Sequence, residues 1–336
     1  MQLITSYYFR LKRKRRLIRA YRKAISLQSV SRKTGQIGRD DLILCATMRN
    51  ELARLPFFLD YYRKLGIGHF LIVDNGSADQ SVEYLSAQPD VSVWRTEASY
   101  KRANFGVDWV NFLLTRYARG HWALTVDSDE FLQYPYSDTR PLRALTDWLD
   151  ASGYKCFPAM LLDMYPKNEF DDAHLAVGEN PLKKLRYFDA GNYVQRLDPL
   201  YRNLWIQGGP RRRTMFAHDP EQAPALNKIP LVKWRLGYAY ISSTHSLLPR
   251  GLNQVYEEWG GEKPSGALLH AKFCADIGTK AADAVEGNRH YAGSREYLAL
   301  RGTQNPVSHF WQPQSAEYEG WQQLEELGLI SAGGWA

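Results

Sequence analysis

The feature that most constrains the fold of this chain is a regular alternation of apolar runs and amphipathic segments between residues 41 and 127. Short apolar runs are typical of buried strands, and four of them occur here, at 42–48, 69–74, 91–95 and 121–127. The segments between them carry apolar residues at steps of three and four, which predicts amphipathic helices. Three strand–helix units followed by a fourth strand predict an α/β fold with a mostly parallel, doubly wound sheet and right-handed crossovers.

The regularity weakens after Asp127. Residues 141–149 indicate a further helix, and residues 154–166 and 238–246 indicate further strands. Residues 167–235 are rich in Pro, Arg and aromatic residues without a clear period. Before the first strand, residues 31–40 are polar and contain glycine, which predicts a linker. We therefore expect a less regular C-terminal region after the sheet.

Charge is distributed unevenly along the chain. The whole sequence carries +7, but residues 1–39 contain twelve Lys or Arg and no Asp or Glu, which leaves −5 for the remainder. An acidic body argues against a nucleic-acid-binding protein. The basic segment has apolar residues at helical spacing, so two interpretations stay open: an amphipathic helix on an anionic membrane surface, or a solvated and partly disordered arm.

The compartment follows from cysteines and hydropathy. The three cysteines, Cys45, Cys156 and Cys274, are widely spaced and odd in number, which favours reduced thiols in the cytoplasm over a disulfide framework or a zinc site. The basic segment lacks the apolar core of a signal peptide, and no run of about 18 apolar residues predicts a membrane span. We expect a cytoplasmic protein, peripheral on the inner face of the cytoplasmic membrane.

Polar clusters follow three of the predicted strands. Ligands of open parallel sheets bind outside the carboxyl ends of the strands, so these clusters predict one acidic, hydrogen-bonding pocket. The clusters are TMRNE (Thr47, Arg49, Asn50, Glu51), DNGSAD (Asp74, Asn75, Ser77, Asp79) and DSDE (Asp127, Asp129, Glu130).

The DSDE cluster places three carboxyl groups within four residues, which repel one another at the end of a buried strand. A capped or solvated turn is one interpretation. An EF-hand calcium loop is disfavoured because its glycine and distant Glu are missing. The other interpretation is Mg²⁺ or Mn²⁺ held by one or two carboxylates and shared with a diphosphate, since the cation neutralises the cluster.

The DNGSAD cluster is typical of a turn. Gly76 permits a left-handed backbone conformation, and Ser77 or Asp79 caps the following helix. Asp74 at the end of the strand is also a candidate acceptor of hydrogen bonds from a nucleobase imide or from ribose hydroxyls. We expect the cluster to serve both purposes.

The order TMRNE, VDNGSAD and DSDEF, with a helix opening at ANFG between the last two, resembles the GT-A glycosyltransferases of the family-two-like bacterial group. The resemblance is strong over residues 41–135 and faint after 160. It implies a GT-A, Rossmann-like domain that binds a nucleotide-diphosphate sugar, UDP-sugar favoured, through residues 40–165, with residues 166–336 as the acceptor-binding region of the same domain and residues 1–39 as the basic segment.

The resemblance also implies roles for single residues. Asp129 is the expected metal ligand and Asp127 contacts the ribose or the metal. The nucleotide side is assigned to Thr47, Arg49, Glu51, Asp74 and Asn75. Lys101 and Arg102 face the diphosphate or lie in a solvated loop. A further metal ligand is expected from the C-terminal half, where His245 and His270 are candidates, although a lone histidine near an apolar strand is more often part of the core.

An inverting transfer is implied, in which an acceptor hydroxyl attacks the sugar C1 and therefore requires a base. The candidates for the base are Asp163, Glu130, Glu257 and Glu258. The run Arg211, Arg212 and Arg213 is a candidate for holding a phosphate or an anionic acceptor, or is simply solvated. The basic segment beside an acidic body suits a glycan or lipid-linked acceptor at a membrane. Two alternatives remain: a nucleotidyltransferase or sugar-nucleotide pyrophosphorylase, and a non-catalytic membrane-associated binding protein.

Overall fold

The computed structural model describes residues 2–256, 263–275, 277, 300 and 307–335. Glu257 and Glu258, two candidates for the base, lie outside the described residues. Within the described residues the chain forms, in order, α1 (Gln2–Ala24), β1 (Gln28–Ser31), β2 (Leu42–Met48), α2 (Leu55–Lys64), β3 (Ile67–Asp74), α3 (Ser81–Ala87), β4 (Val91–Arg95), α4 (Val107–Tyr117), β5 (Trp122–Thr125), β6 (Glu130–Gln133), α5 (Leu142–Ala151), β7 (Cys156–Asp163), β8 (Tyr187–Asp189), β9 (Val194–Asp198), β10 (Asn203–Gln207), α6 (Gly209–Thr214), β11 (Asn227–Lys233), β12 (Ala239–Ser242), β13 (Ser246–Leu248), β14 (Gly266–His270), β15 (Ser315–Glu317) and α7 (Trp321–Glu326).

Nine strands form one central sheet in the order β1-β4-β3-β2-β5-β11-β7-β14-β6. The neighbours from β4 to β5 are parallel, as the strand–helix series predicts. Strand β11 then lies antiparallel to both β5 and β7, so β7 and its parallel neighbour β14 run in the same direction as β5. Six strands (β2, β3, β4, β5, β7 and β14) therefore share one direction. The predicted α/β fold class, with a helix-flanked sheet and a basic N-terminal helix, is confirmed.

The sheet is covered on both faces, which explains why β2 is apolar from Leu42 to Ala46. Leu42, Leu44 and Ala46 point to the face covered by α2, where Phe58 and Leu59 pack. The residues between them, Ile43 and Cys45, belong to the opposite core with Trp109 and Leu113 of α4. All three cysteines are free and buried, in agreement with reduced thiols.

The N-terminal segment is helical and lies on the body. Arg19 of α1 forms an ion pair of 2.7 Å with the buried Asp108 of α4, and Phe9 packs with Ile241 and Leu248 of β12 and β13. Strand β1 ends at Ser31, where the predicted linker begins, and pairs antiparallel with β4. No helix in the described part of the chain is both long and apolar enough to cross a membrane.

Candidate functional site

The six co-directional strands end at one edge of the sheet, which we call the carboxyl edge. Strands β11 and β6 run the other way and begin there, so residues from distant parts of the chain meet at this edge. The register places His270 of β14 opposite Asp163 of β7 on one side and opposite Glu130 of β6 on the other. Three residues that sequence reasoning considered separately are thus neighbours on adjacent strands.

His270 lies between two carboxylates. Its Nδ1 is 2.7 Å from Oδ1 of Asp163, and its Nε2 is 3.5 Å from Oδ2 of Asp129. The backbone holds the same arrangement, because Ala271 N donates to the Asp129 carbonyl over 2.7 Å. Arg211 Nε donates to the other oxygen of Asp163 over 2.7 Å. A continuous chain of contacts therefore runs from Asp129 through His270 and Asp163 to Arg211.

The charges in this chain stabilise one another away from water. Burial alone would lower the pKa of His270, but the Asp129 and Asp163 carboxylates raise it to about 9. Burial alone would raise the pKa of Asp163, but Arg211 and His270 lower it to about 2. Asp163 is ionised with both oxygens engaged, so it holds the imidazole of His270 in place.

A second ion pair holds the rest of the DSDE cluster. Lys228 of β11 is buried, and its Nζ donates to Oε1 of Glu130 and lies 3.7 Å from Oδ2 of Asp127. The other oxygen of Glu130 accepts from Asp127 N over 3.2 Å. Burial would lower the pKa of Lys228, but these two carboxylates raise it. The repulsion expected within the cluster is therefore relieved in part by a lysine from another strand.

Asp127 differs from Glu130 in its exposure. The side chain of Asp127 is 54% exposed, whereas that of Glu130 is 2% exposed. Partial desolvation and the Glu130 carboxylate raise the pKa of Asp127 above its ordinary value. Asp127 therefore faces the ligand side, while Glu130 lies beneath it as an internal partner of Lys228.

A narrow pocket of about 40 Å³ opens beside this cluster and includes Asp127, Glu130 and Lys228 in its wall. Thr47 of β2 and Thr244, from the turn between β12 and β13, line the same pocket. Neither hydroxyl has a hydrogen-bond partner within the described residues. Buried polar groups normally have partners, so these hydroxyls favour a polar ligand or water in the pocket.

The DNGSAD cluster forms a turn whose own residues hydrogen-bond to the Asp74 carboxylate. Asp74 is fully buried; one of its oxygens accepts from Gly76 N and Ser77 N, each over 3.1 Å, and the other accepts from the Ser77 hydroxyl. Asn75 donates to the carbonyls of Thr96 and Ala98, each over 3.0 Å. These hydrogen bonds show that the cluster builds the turn, as expected. Its contact with a nucleoside stays a prediction.

The TMRNE cluster divides between the pocket and this turn. Thr47 reaches the pocket, whereas Asn50 N donates to Ser77 Oγ over 2.9 Å and the Asn50 side chain accepts from Ala78 N over 2.8 Å. Glu51 pairs with Arg54 over 3.1 Å. Arg49 is half-buried beside them, with no partner in the described chain for its buried Nε. Their nucleotide contacts stay predictions.

The two histidine candidates have different surroundings. His245 Nδ1 is 2.6 Å from the Asn227 carbonyl, and burial, followed by nearby Lys228, lowers its pKa to about 4. His270 is the one that meets Asp129. The structure thus pairs Asp129 with His270. No contact between His245 and Asp129 supports His245 as a metal ligand within the described residues.

The remaining cationic candidates also differ in their surroundings. Lys101 and Arg102 are exposed, and the Arg102 carbonyl accepts from Arg19 of α1 over 2.5 Å. Arg211 is buried in its pair with Asp163, and Arg213 pairs with Asp189 over 2.8 Å. Arg212 between them is half-buried. Two of the three arginines for which both a phosphate-binding role and a solvated position were considered are therefore engaged in internal ion pairs.

Asp129 and His270 fit a divalent cation. Their facing atoms are close enough for one ion to bind between them in place of the proton that Asp129 stabilises on His270 Nε2. Mg²⁺ takes few protein ligands when phosphate oxygens and water complete its shell. A ligating histidine usually donates its other ring N–H to a carboxylate, as His270 can to Asp163. Among the described residues, no group of three or more His, Cys, Asp or Glu is arranged to hold a metal by itself.

Lys228 is the site residue that sequence reasoning missed. It belongs to the segment 167–235, in which no clear period predicted a strand. The signal it offers is a lysine directly before the apolar stretch Ile229–Val232, where a buried cation calls for a carboxylate partner. Its partner Glu130 is 98 residues away in the sequence.

Comparisons with known proteins give limited similarity. No protein-family model matches the chain, and no curated protein matches it. Similar solved structures include a 4-diphosphocytidyl-2C-methyl-D-erythritol synthase (10% identity, TM-score 0.28, covering 86% of this chain and 98% of that one) and a UTP-bound UGPase from Acinetobacter baumannii (9% identity, TM-score 0.27, covering 86% and 92%). At these TM-scores the likeness is no argument for a shared activity.

Proposed function

We propose that this chain is a metal-dependent glycosyltransferase that moves a sugar from a nucleotide-diphosphate donor, UDP-sugar favoured, to a hydroxyl of a cell-surface glycan or glycolipid. The observation that carries the proposal is the pairing of Asp129 with His270 at the carboxyl edge, with Asp163 behind the imidazole and the pocket beside it. The order of motifs that resembles the GT-A group supports the donor class.

Asp129 and His270 would hold Mg²⁺ or Mn²⁺. When bound, such a cation neutralises the charge that develops on a departing diphosphate. Asp163, itself held by Arg211, fixes the orientation of His270 and keeps its Nδ1 protonated. Glu130 and Lys228 fix the backbone and the carboxylate of Asp127 at the mouth of the pocket.

The nucleotide side of the proposal begins at the pocket wall, where about 40 Å³ has room for one small polar group of the donor and not for a whole nucleoside. Thr47 and Thr244 offer hydroxyls to a polar ligand, and the side chains of Tyr100 and Phe105 line the same space. Asp74, Asn75, Arg49, Glu51 and Lys101 complete the predicted donor side. Their assignment rests on the resemblance and on their positions after neighbouring strands.

In the proposed reaction the acceptor hydroxyl oxygen bonds to the sugar C1, the bond from C1 to the diphosphate oxygen breaks, and the hydroxyl proton passes to a base. Glu130 and Asp163 are poor candidates for the base because their oxygens are engaged by internal partners. Glu258 lies outside the described residues. The base is therefore left unassigned, and inversion stays part of the proposal.

The location of the reaction belongs to the same proposal. A basic helix on an acidic body suits a protein bound to the inner face of the cytoplasmic membrane, where lipid-linked glycan precursors present their hydroxyls. A glycolipid or membrane-embedded glycan is therefore the favoured acceptor class.

The test is incubation with a panel of UDP-, GDP- and CMP-sugars with and without Mn²⁺, measuring released nucleotide and free sugar. We expect release of a nucleoside diphosphate from at least one donor, lost on addition of EDTA and in Asp129→Asn. Asp147→Asn on the exposed surface of α5 is the matched control and should match the wild type.

The same assay separates the alternatives. Formation of pyrophosphate from a nucleoside triphosphate and a sugar phosphate would replace the proposal with a nucleotidyltransferase. If no donor is cleaved and no nucleotide binds in the presence of Mn²⁺, the chain is a binding protein and the proposed activity is wrong.

A further inference from the structure

Helix α1 is docked on the body with its apolar stripe facing outward. Tyr7, Leu11, Ile18 and Tyr21 of α1, and Ile25 in the turn directly after it, recur at steps of four, seven, three and four, which places the four helical residues along one side of the helix and Ile25 at its end. All five are exposed; Tyr7 is 64% and Ile25 is 86% exposed. We call these five residues the outer stripe. A helix bound only to its own domain normally turns such a stripe inward.

Specific contacts fix the inner side of α1 to the body. Phe9 and Ala20 are buried there, and Arg19 both pairs with Asp108 and donates to the Arg102 carbonyl. Lys12 donates to the Tyr201 hydroxyl. These contacts explain why the stripe cannot turn inward without separating Arg19 from a buried carboxylate.

The charge around the outer stripe identifies its partner. Helix α1 contains nine Lys or Arg and no acidic residue. Exposed cations flank the stripe directly, among them Lys14 and Arg22, which line one concave surface with Leu17, Ile18, Tyr21 and Ile25. A second copy of the chain would bring two such cationic helices together, so charge disfavours a dimer across this face. An anionic surface with an apolar interior complements it.

We infer that the outer stripe of α1 is a docking face for an anionic lipid bilayer, with the apolar side chains at the acyl boundary and the flanking cations among the headgroups. The inference deepens the membrane partner of the proposed function, but it does not need the chain to be a glycosyltransferase. The apolar side chains of the outer stripe would set the depth of insertion, and the contacts of α1 with the body would set the orientation of the fold on the bilayer.

The orientation follows from what α1 rests on. Its inner side packs against α4 and the β12–β13 hairpin, and both of these elements line the pocket, through Val107 and Val110 of α4 and Thr244 of the hairpin turn. Asn111 ties the two supports together by accepting from Tyr240 N over 2.8 Å. A bilayer bound to the outer stripe therefore lies at a fixed orientation to the pocket, with no flexible linker between them.

The test is flotation of the full chain with vesicles of 70% phosphatidylcholine and 30% phosphatidylglycerol, compared with vesicles of phosphatidylcholine alone. The wild type should bind the anionic vesicles at least ten times more tightly, and 0.5 M NaCl should weaken this binding. Leu11→Ser/Ile18→Ser/Ile25→Ser should lose at least tenfold in affinity. Because all three residues are exposed, its thermal unfolding should match the wild type. The matched control is Leu236→Ser, an exposed apolar residue that is not part of the outer stripe.

Equal binding by the wild type and the triple variant, or equal binding to neutral and anionic vesicles, overturns the inference. So does a wild-type dimer in sedimentation equilibrium that the triple variant turns into a monomer, because the stripe would then be a self-association face. Donor cleavage in the absence of vesicles reports on the proposed function alone, so the two failures are distinguishable.

Discussion

The turn after β3 and the turn after β5 look alike in sequence, since each places acidic residues directly after a buried parallel strand. In the structure they differ in where their partners come from. Within the described residues, every hydrogen bond to the Asp74 carboxylate comes from residues two or three positions ahead, and its one cation from another strand, Arg95 of β4, lies farther off at 3.9 Å. The carboxylates after β5 are held by Lys228 and His270, which belong to strands far along the chain.

This difference distinguishes a self-contained turn from a candidate site. A carboxylate satisfied by its own loop has little capacity left for a ligand, and its removal disturbs local structure. Carboxylates held from several strands at a solvent-facing edge form a rigid, charged arrangement that a ligand can complete. Substitutions at both turns, and at Lys101 in the exposed loop before α4, test this comparison. Their expected effects decrease from the contact between Asp129 and His270 to Lys101.

The largest effect is expected at the contact between Asp129 and His270. His270→Asn and Asp129→Asn should each lower Mn²⁺-dependent nucleotide release by more than about 100-fold, because outer partners of metal ligands alone are worth 10- to 100-fold. The double variant should be no worse than either single one, since the two residues act as a unit. Steady-state release and Mn²⁺ titration calorimetry measure this.

His121→Asn, at the opposite end of the sheet where β5 begins, controls for the loss of a histidine and should retain activity. Additive losses in the double variant would contradict a shared role.

The second effect concerns stability at the turn after β5. Lys228→Met should lower the free energy of unfolding by about 3–5 kcal/mol, because Glu130 would remain buried without its cation. Adding Glu130→Gln should restore part of the loss. Lys233→Met, on the same strand but in a half-exposed pair with Asp150, should cost only about 0–1 kcal/mol. Urea unfolding of the three variants measures these changes. An equal loss of stability in Lys228→Met and Lys233→Met would contradict the buried ion pair of Lys228.

The third effect addresses the turn after β3. Asp74→Asn should lower the free energy of unfolding by about 1–3 kcal/mol, since the amide cannot accept all of the loop hydrogen bonds. Ser77→Ala removes one of those bonds but keeps the carboxylate. If nucleotide affinity falls in Asp74→Asn and not in Ser77→Ala, the predicted nucleoside contact is supported. Equal affinity in both variants leaves Asp74 as a turn residue only.

The smallest effect is expected for Lys101, in the exposed loop before α4. Lys101→Ala should weaken nucleotide-diphosphate binding by about two- to fivefold, which corresponds to a surface charge interaction of below about 1 kcal/mol. Lys64→Ala, whose exposed partner Asp60 lies one helical turn earlier, is the control and should leave binding unchanged. Calorimetry at two salt concentrations measures the difference, and salt-independent binding would remove the diphosphate role of Lys101.

The sequence predicts the first half of the fold well because the signals there are local. Continuous apolar runs and steps of three and four residues depend only on near neighbours, and β2, β3, β4 and β5 lie where these signals indicate. The position of Asp74 as the last residue of β3 and that of Asp127 just after β5 follow directly from the same pattern.

The contacts that the sequence does not predict depend on the order of the strands in the sheet. Asp163 and His270 are both candidates from sequence, but their contact joins residues 107 positions apart and depends on the pairing of β7 with β14. The antiparallel insertion of β11 brings Lys228 to Glu130, and no pattern within residues 167–235 indicates that neighbour. Strand β1 is not predicted from the sequence for the same reason. Its residues are mostly polar, and they form a strand by pairing with the edge of β4.

The position of β14 between β7 and β6 also has a consequence for biosynthesis. Strand β6 pairs within the described sheet only with β14, so it must wait for residues 266–270 to leave the ribosome. At roughly 5–20 residues per second, the interval from residue 133 to residue 270 is on the order of ten seconds. Throughout that interval β6 has no partner strand in the described sheet, and the nascent chain has no His270 to face Asp129. Completion of the sheet and completion of the site are therefore the same event, and a ribosome that stalls before residue 266 releases a chain with neither.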